Sequence, residues 1–434
     1  MNIMEETFQS NNNRTFLDKI GLYFLFLLLA INPFHFKVST SSEGIIYYYR
    51  EIISFVFMML WLSKIIYLKN WNNRICYQGD NRIYFFLIIF PILLGIFAIS
   101  DSGTDLYSTN YLITTNLKAY LLRNALLYIP MTLYLAVRGL DEKEVQQIAW
   151  VIVIIAPFSI ITFLISSEVA TVRTIGVVAE MGGRNLAYNS YVPYLTIPIL
   201  SGIYIISSNS VDFFGIKIRI TSTVKLFLFF IVAFVSVYIF LSTSRQSTLY
   251  IILAGTFTLL KVKKSFVKKI FTIFILIICI TYTFSFLTEG YSVSNRLLDR
   301  FSSVSGMTDS NRLDKILYGL SLLQPVEYFI GAGLTSVIVS GPHNDYIRWW
   351  QRVGFFAMFI GFLPFLMAFL KGYRLIRYHS VNILYIYVTL FVSFTLYHSF
   401  FGYPREDAYQ APYCFLGLAI WFGVRKAESE NGNI

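Results

Sequence analysis

Residues 226–260 read LFLFFIVAFVSVYIFL, then STSRQS, then TLYIILAGTFTLL. The first run carries no charged residue, and in the second stretch, Ser244–Leu260, Arg245 is the single one. A helix rises 1.5 Å per residue, so roughly 17 to 20 apolar residues cross a hydrocarbon layer of about 30 Å. Two such runs that nearly abut predict a helical hairpin through a membrane, with Arg245 at the membrane edge or slightly within it.

The same signal repeats outward from this hairpin. The chain has 434 residues, 56% hydrophobic, 18% aromatic and 14% charged, with a mean hydropathy of +0.61. Soluble domains carry roughly 25% charged residues, so this chain cannot cover a water-exposed globule with polar groups. That excludes a cytosolic enzyme, a disordered chain and a nucleic-acid binder, despite a net charge of +11. The three cysteines, Cys76, Cys279 and Cys414, form neither a CxxC nor a disulfide framework. The expected fold class is an all-α polytopic membrane protein, residues 1–434 forming a single integral membrane domain.

About twelve runs qualify as spans. They centre on Ile20–Phe34, Ile45–Tyr67, Ile83–Ile99, Tyr120–Ala136, Ile148–Ile165, Leu186–Ile206, Leu226–Leu241, Ser244–Leu260, Ile270–Leu287, Tyr346–Leu370, Val381–Tyr397 and Ala411–Val424. An odd total of eleven or thirteen is the competing reading. With twelve spans and both termini cytoplasmic, all of the net +11 falls on the cytoplasmic side and the outer side balances to zero. That obeys the positive-inside rule. Residues 1–19 are polar and carry Glu5, Glu6 and Asp18, so the first span is a retained helix rather than a removed signal peptide.

One outer connection is long, from about residue 288 to 342, between spans nine and ten. Long loops in compact proteins are functional or disordered. From Arg312, the apolar residues Leu313, Ile316, Leu317, Leu320 and Leu323 fall on one helical face. Asp309 or Ser310 would cap this amphipathic helix, Pro325 would stop it, and Gly331–Ala332–Gly333 would turn the chain back. It is either a cover over a site or a packing lid.

Ionisable groups at membrane edges are costly and therefore functional candidates. Four outer places hold them. Arg245 stands among four hydroxyl residues in Ser242–Ser247, a site for an anion such as phosphate or else a snorkelling anchor. In Gly341–Arg348, His343 falls in the first turn of span ten, where the positive helix end keeps an imidazole neutral and able to accept a proton. Asn344 and Arg348 share a face four residues apart, Asp345 lies between them, and Arg352 follows; the competing reading is a helix cap with aromatic anchors. Arg184 stands at a flexible turn after Gly182–Gly183. Arg312, with Arg296 and Arg300, has acidic neighbours, as in solvated surface pairs. His35 and His398 face outward in aromatic-rich turns, and His379 lies inside. No HExxH, Walker loop or GxGxxG occurs, so neither metal nor nucleotide chemistry is indicated.

Taken together these places resemble the O-antigen polymerase and O-antigen ligase superfamily of bacterial envelope glycosyltransferases. Ser242–Ser247 is similar to the family's Ser-x-Ser-Arg segment. Pro342–Arg348, with Val353–Gly354 and Gly361 after it, resembles its His-Asn-x-Tyr-Leu block. Arg312, Pro325 and Gly331-x-Gly333 match the long outer loop in order and spacing, and the likeness covers roughly residues 180–365. The resemblance implies a class C glycosyltransferase fold in the bacterial inner membrane with its active site facing the periplasm. It further implies an undecaprenyl diphosphate-linked glycan as donor, no metal or other cofactor, and membrane lipid and a chain-length-regulating membrane protein as partners. It assigns His343 as general base, Arg184, Arg245, Arg312 and Arg348 to the pyrophosphate, and Asn344 and Asp345 to positioning the histidine or the sugar. The form of the histidine block points to a polymerase. A ligase to lipid A–core and a lipid-linked oligosaccharide flippase are the alternatives, and a flippase would carry midplane charges and internal symmetry.

Overall fold

The structure is a computed structural model and describes residues 15–34, 37–40, 46–67, 76, 78–100, 128–166, 178–181, 184–208, 210–213, 216–241, 244–261, 317–318, 320–321, 323–333, 344–378, 382–402, 404–405 and 410–430. For 37–40, 46–51, 67, 95–100, 166, 178–181, 184–190, 210–213, 216–218, 240–241, 245, 259–260, 378 and 430 the description is of the backbone.

Thirteen helices fall within the described residues: α1 Phe16–Ile31, α2 Tyr49–Tyr67, α3 Asn81–Ser100, α4 Ile129–Arg138, α5 Glu142–Ser166, α6 Tyr188–Tyr194, α7 Thr196–Ser207, α8 Ser222–Leu241, α9 Arg245–Lys261, α10 Glu327–Ile330, α11 Asp345–Tyr378, α12 Ile383–His398 and α13 Ala411–Glu430. Four stretches are long and apolar enough to cross a membrane: Phe16–Phe34, Glu142–Ile165, Ser222–Ile239 and Asp345–Arg377. Shorter apolar helices run over Ile52–Ile66, Tyr191–Ser207 and Ile383–His398. These lengths and compositions fit a helical membrane protein.

Side-chain exposure agrees with a lipid-facing surface. On α8, Phe227, Phe230 and Phe234 are exposed at i, i+3 and i+7, and on α5, Phe158, Ile161 and Ile165 do the same. Such stripes would be a liability in water and suit hydrocarbon. The centre is formed by α4, α7 and much of α13, which are apolar and buried nearly all round. Hydroxyls join these central helices. Thr132 Oγ1 donates to the Phe415 carbonyl at 3.0 Å, the Ser201 and Tyr387 hydroxyls are 2.9 Å apart, and the Tyr204 and Tyr387 rings stack at 4.5 Å.

Three departures from the expected layout have local causes. Short antiparallel hairpins join the helices: β1 Lys37–Thr40 with β2 Ile46–Tyr48, β3 Val178–Met181 with β4 Arg184–Ala187, and β5 Ser210–Phe213 with β6 Ile216–Arg219. The expected spans starting at Ile45 and Leu186 therefore begin in strands, and the second is further divided at Leu195 between α6 and α7. Helix α5 starts at Glu142, six residues before the expected Ile148, because Asp141 Oδ1 accepts the Glu144 N–H at 2.8 Å and Glu144 reaches back to the Asp141 N–H at 3.1 Å. Arg138 closes this turn with two bonds to Glu144, at 2.6 and 2.9 Å. The expected span Ile270–Leu287 and the start of the amphipathic helix at Arg312 lie outside the described residues.

A polar cluster ties the end of the bundle where α3 begins and α11 and α13 finish. Lys371 Nζ lies 2.6 Å from Asp80, and Arg425 Nε lies 3.9 Å from the same fully buried carboxylate. Glu428 accepts a hydrogen bond from the Tyr385 hydroxyl and sits 4.0 Å from Arg425. Burial, and then the nearby Glu142 carboxylate, push the Glu428 carboxyl up to about 7. A raised carboxyl favours the fold while protonated, so its contribution is whole below the ordinary carboxylate range and is lost as pH rises through about 7. Thermal unfolding of the detergent-solubilised protein should therefore show a Tm falling between pH 5 and 8, and Glu428→Gln should flatten that fall. Parallel slopes for the two proteins would refute the assignment.

Candidate functional site

Helix α11 is interrupted at Gly354, where φ is 77° and ψ is 169°. Its halves, residues 345–353 and 355–378, double back on one another. The Tyr346 and Phe362 rings lie 4.1 Å apart, whereas positions this far apart on one straight helix would be separated by about 24 Å. The segment around α10 fills the break. Ala332 N–H donates to the Gln351 carbonyl at 2.8 Å, and Gly333 N–H to the Arg352 carbonyl at 3.1 Å. Trp350 Nε1 donates to the Tyr328 carbonyl at 2.8 Å. These backbone acceptors are ones that an unbroken helix would have used internally.

The fold-back sets the start of α11 deep against α12. Asn344 is the N-cap, its Oδ1 accepting the Ile347 N–H at 3.1 Å. The Asp345 N–H donates to the Ser399 carbonyl at 2.7 Å. Its fully buried carboxylate accepts from Arg405 Nε at 3.1 Å and from Ser399 Oγ at 3.4 Å. Arg405 is itself 1% exposed. Its Nη1 donates to the Gly361 carbonyl at 3.1 Å, and its guanidinium lies 3.5 Å from the centre of the Phe362 ring. Tyr346 Oη donates to the Leu396 carbonyl at 2.9 Å.

The same end of α12 reaches the start of α9. Tyr397 Oη donates to the Gln246 carbonyl at 3.0 Å, one residue beyond Arg245. Ser244 caps this helix, accepting the Thr248 N–H through its carbonyl at 3.0 Å and donating its hydroxyl to Ser247 at 2.9 Å. Between the two helix starts stands His398, buried among the rings of Phe394 at 4.5 Å, Tyr397 at 5.1 Å and Tyr250 at 5.2 Å. Neither of its ring nitrogens has a hydrogen-bond partner among the described residues.

The candidate residues distribute unevenly over this junction. Arg245 is the first residue of α9, and Asn344, Asp345 and Arg348 form the first turn of α11. Arg348 is half-buried, and its N–H donates to the Asn344 carbonyl at 3.0 Å. Arg184 opens β4, paired in register with Met181. That strand runs directly into α6, whose Tyr191 meets Tyr238 near the α9 end of α8. His343 and Arg312 lie outside the described residues. Among the described residues, no three His, Cys, Asp or Glu side chains converge on one point.

One reading is changed: the helix expected to hold His343 in its first turn starts at Asp345, with Asn344 as its cap. Asp345, read as positioning the histidine or sugar, has its carboxylate turned onto Arg405. His398, read as an outer-side histidine in an aromatic-rich turn, is enclosed by aromatic rings. Arg405 was legible as a charge in the turn before the last span, but its partner stands 60 positions earlier, and no local spacing connects them.

No protein-family model matches the chain, and no curated protein matches it.

Proposed function

We propose that this chain is a membrane glycosyltransferase that polymerises a surface polysaccharide on the periplasmic face of a bacterial inner membrane. In this reading twelve spans hold both termini in the cytoplasm, the fold is of the class C type, and the donor is a growing glycan on undecaprenyl diphosphate. The observation that carries the reading is the junction at the end of α12. It draws the Ser244–Ser247 turn and the Asn344–Arg348 turn, far apart in sequence, to one end of the bundle. The described parts of two of the motifs quoted for the family resemblance therefore lie at one end of the bundle, which supports the reading.

The chemistry follows from those residue types. Arg184 and Arg245, joined by Arg348 or Arg312, hold the pyrophosphate and stabilise the charge that grows on it as the bond from its oxygen to the anomeric carbon breaks. The acceptor hydroxyl of a lipid-linked repeat attacks that carbon with inversion, and His343 takes its proton. The products are the extended glycan on the acceptor lipid and free undecaprenyl diphosphate. Asn344 caps the helix beside the histidine. The outer loop covers the site and limits hydrolysis of the donor by water.

Deletion of the gene should leave lipopolysaccharide capped with a single repeat unit. Long chains stranded on the carrier lipid would instead indicate a ligase. Repeats held on the cytoplasmic side would indicate a transporter, and an unchanged glycan profile would refute all three.

A further inference from the structure

We infer that Arg405 is a positioning residue of this site, acting with Asp345 as a clamp that sets where the first half of α11, with Asn344 at its start and Arg348 in its first turn, is held. The assignment rests on the glycosyltransferase reading for its consequence and on geometry alone for its existence.

A buried ion pair is costly to form, because both charges leave water, and its net stabilisation over an apolar replacement is small or negative. This pair stands in an otherwise aromatic setting, with Phe362 and Trp349 at 3.5 and 5.1 Å from the guanidinium. Its worth lies in what it joins. Arg405 belongs to the turn between α12 and α13, Asp345 opens the first half of α11, and Gly361 belongs to the second half. The planar guanidinium reaches both halves at once, through Nε to the carboxylate and Nη1 to the Gly361 carbonyl. Its two donors point in fixed directions, which lysine cannot reproduce.

The opposite end of the short half-helix is held separately. Ala332 and Gly333 bond to the carbonyls of Gln351 and Arg352. The segment 345–353 is therefore tethered at its far end by the outer loop and at its site end by Arg405, Ser399 and Tyr346. Among these site-end ties, Arg405 makes the charged bond that spans the fold-back. Releasing it frees the end next to the chemistry while leaving the loop in place.

The test uses full-length protein in nanodiscs with three variants, Arg405→Ala, Arg405→Lys and Asp345→Asn. Two readouts are taken: elongation of lipid-linked repeats, and hydrogen–deuterium exchange of the amides of residues 346–353. Arg405→Ala should lower turnover on the order of 10²-fold, the cost of a displacement of about 1 Å at a reacting group. The donor KM should stay within about threefold, since Arg184 and Arg245, on β4 and α9, lie outside the released half-helix. Exchange over 346–353 should rise about tenfold or more while α13 keeps its protection. Arg405→Lys should resemble Arg405→Ala, and Asp345→Asn, which retains a neutral acceptor, should fall between them and wild type.

Unchanged exchange over 346–353 in Arg405→Ala overturns the clamp, and so does a loss of turnover matched by an equal rise in KM. A uniform rise in exchange along the whole chain overturns it as well, because Arg405 would then be a general stabiliser. If Arg405→Ala does not fold, Asp345→Asn decides by the same two readouts. If the wild-type protein elongates nothing, the glycosyltransferase reading fails, and the exchange measurement still decides the clamp.

Discussion

Replacing His343 by alanine should lower elongation of lipid-linked repeats by about 10²–10⁴-fold, the usual contribution of a general base, while donor binding persists. The expectation follows from the proposed function. In sequence, His343 immediately precedes Asn344, the N-cap of α11. In the proposed mechanism the arginines bind the donor, so the loss belongs in turnover rather than in KM. Arg245→Lys should show the opposite pattern. It keeps the charge and loses the two-pronged guanidinium, so the donor KM rises along with any fall in rate. Purified protein assayed with a defined lipid-linked repeat separates the two. Wild-type turnover in His343→Ala would remove the base assignment, and wild-type kinetics in Arg245→Lys would remove the pyrophosphate assignment.

Much of the helical layout was legible, for a simple reason. Hydrocarbon imposes one strong requirement, an apolar run long enough to cross it, and that requirement is written locally. The hairpin at 226–260 is the clearest case, with expected spans Leu226–Leu241 and Ser244–Leu260 against observed helices Ser222–Leu241 and Arg245–Lys261. Hydropathy does not encode what happens inside an apolar run. Tyr346–Leu370 reads as one span, yet its path reverses at Gly354, because a single glycine at positive φ is invisible among Phe, Ala and Met. The signal that could have exposed it is the pairing of Gly354 with Gly331 and Gly333 in the outer loop. Their backbones approach where no side chain intervenes. The partner of Asp345 was not legible for a different reason. Arg405 belongs to another turn, and buried charge pairs across long sequence separation leave no periodic trace.

Gly354→Ala should be the most damaging small substitution in the described part of the molecule. The φ of 77° with ψ of 169° lies in a region that only glycine occupies readily, and a side chain there carries strain of about 1–3 kcal/mol. Steric overlap costs more than this strain. An added Cβ would fall well inside contact distance of the Phe329 carbonyl and the Ile330 nitrogen. These are backbone atoms, so no rotamer change relieves the overlap. Gly331 presents the reciprocal case, since its Cβ would collide with the backbone of Arg352 and Val353. Either substitution must push α10 away from the break, exposing the carbonyls of Gln351 and Arg352 and freeing the half-helix that leads to the site. A lowered Tm, new protease cleavage between residues 323 and 333 and loss of elongation should appear together. Gly402→Ala is the control. The nearest atom to its added methyl is the His398 carbonyl oxygen at 3.9 Å, and the expected change is within about 0.5 kcal/mol. The double variant Gly331→Ala with Gly354→Ala should cost less than the sum of the singles, because both abolish one shared approach. Strict additivity, or a Gly354→Ala protein as stable as Gly402→Ala, would mean that the loop and the broken helix do not meet in this way.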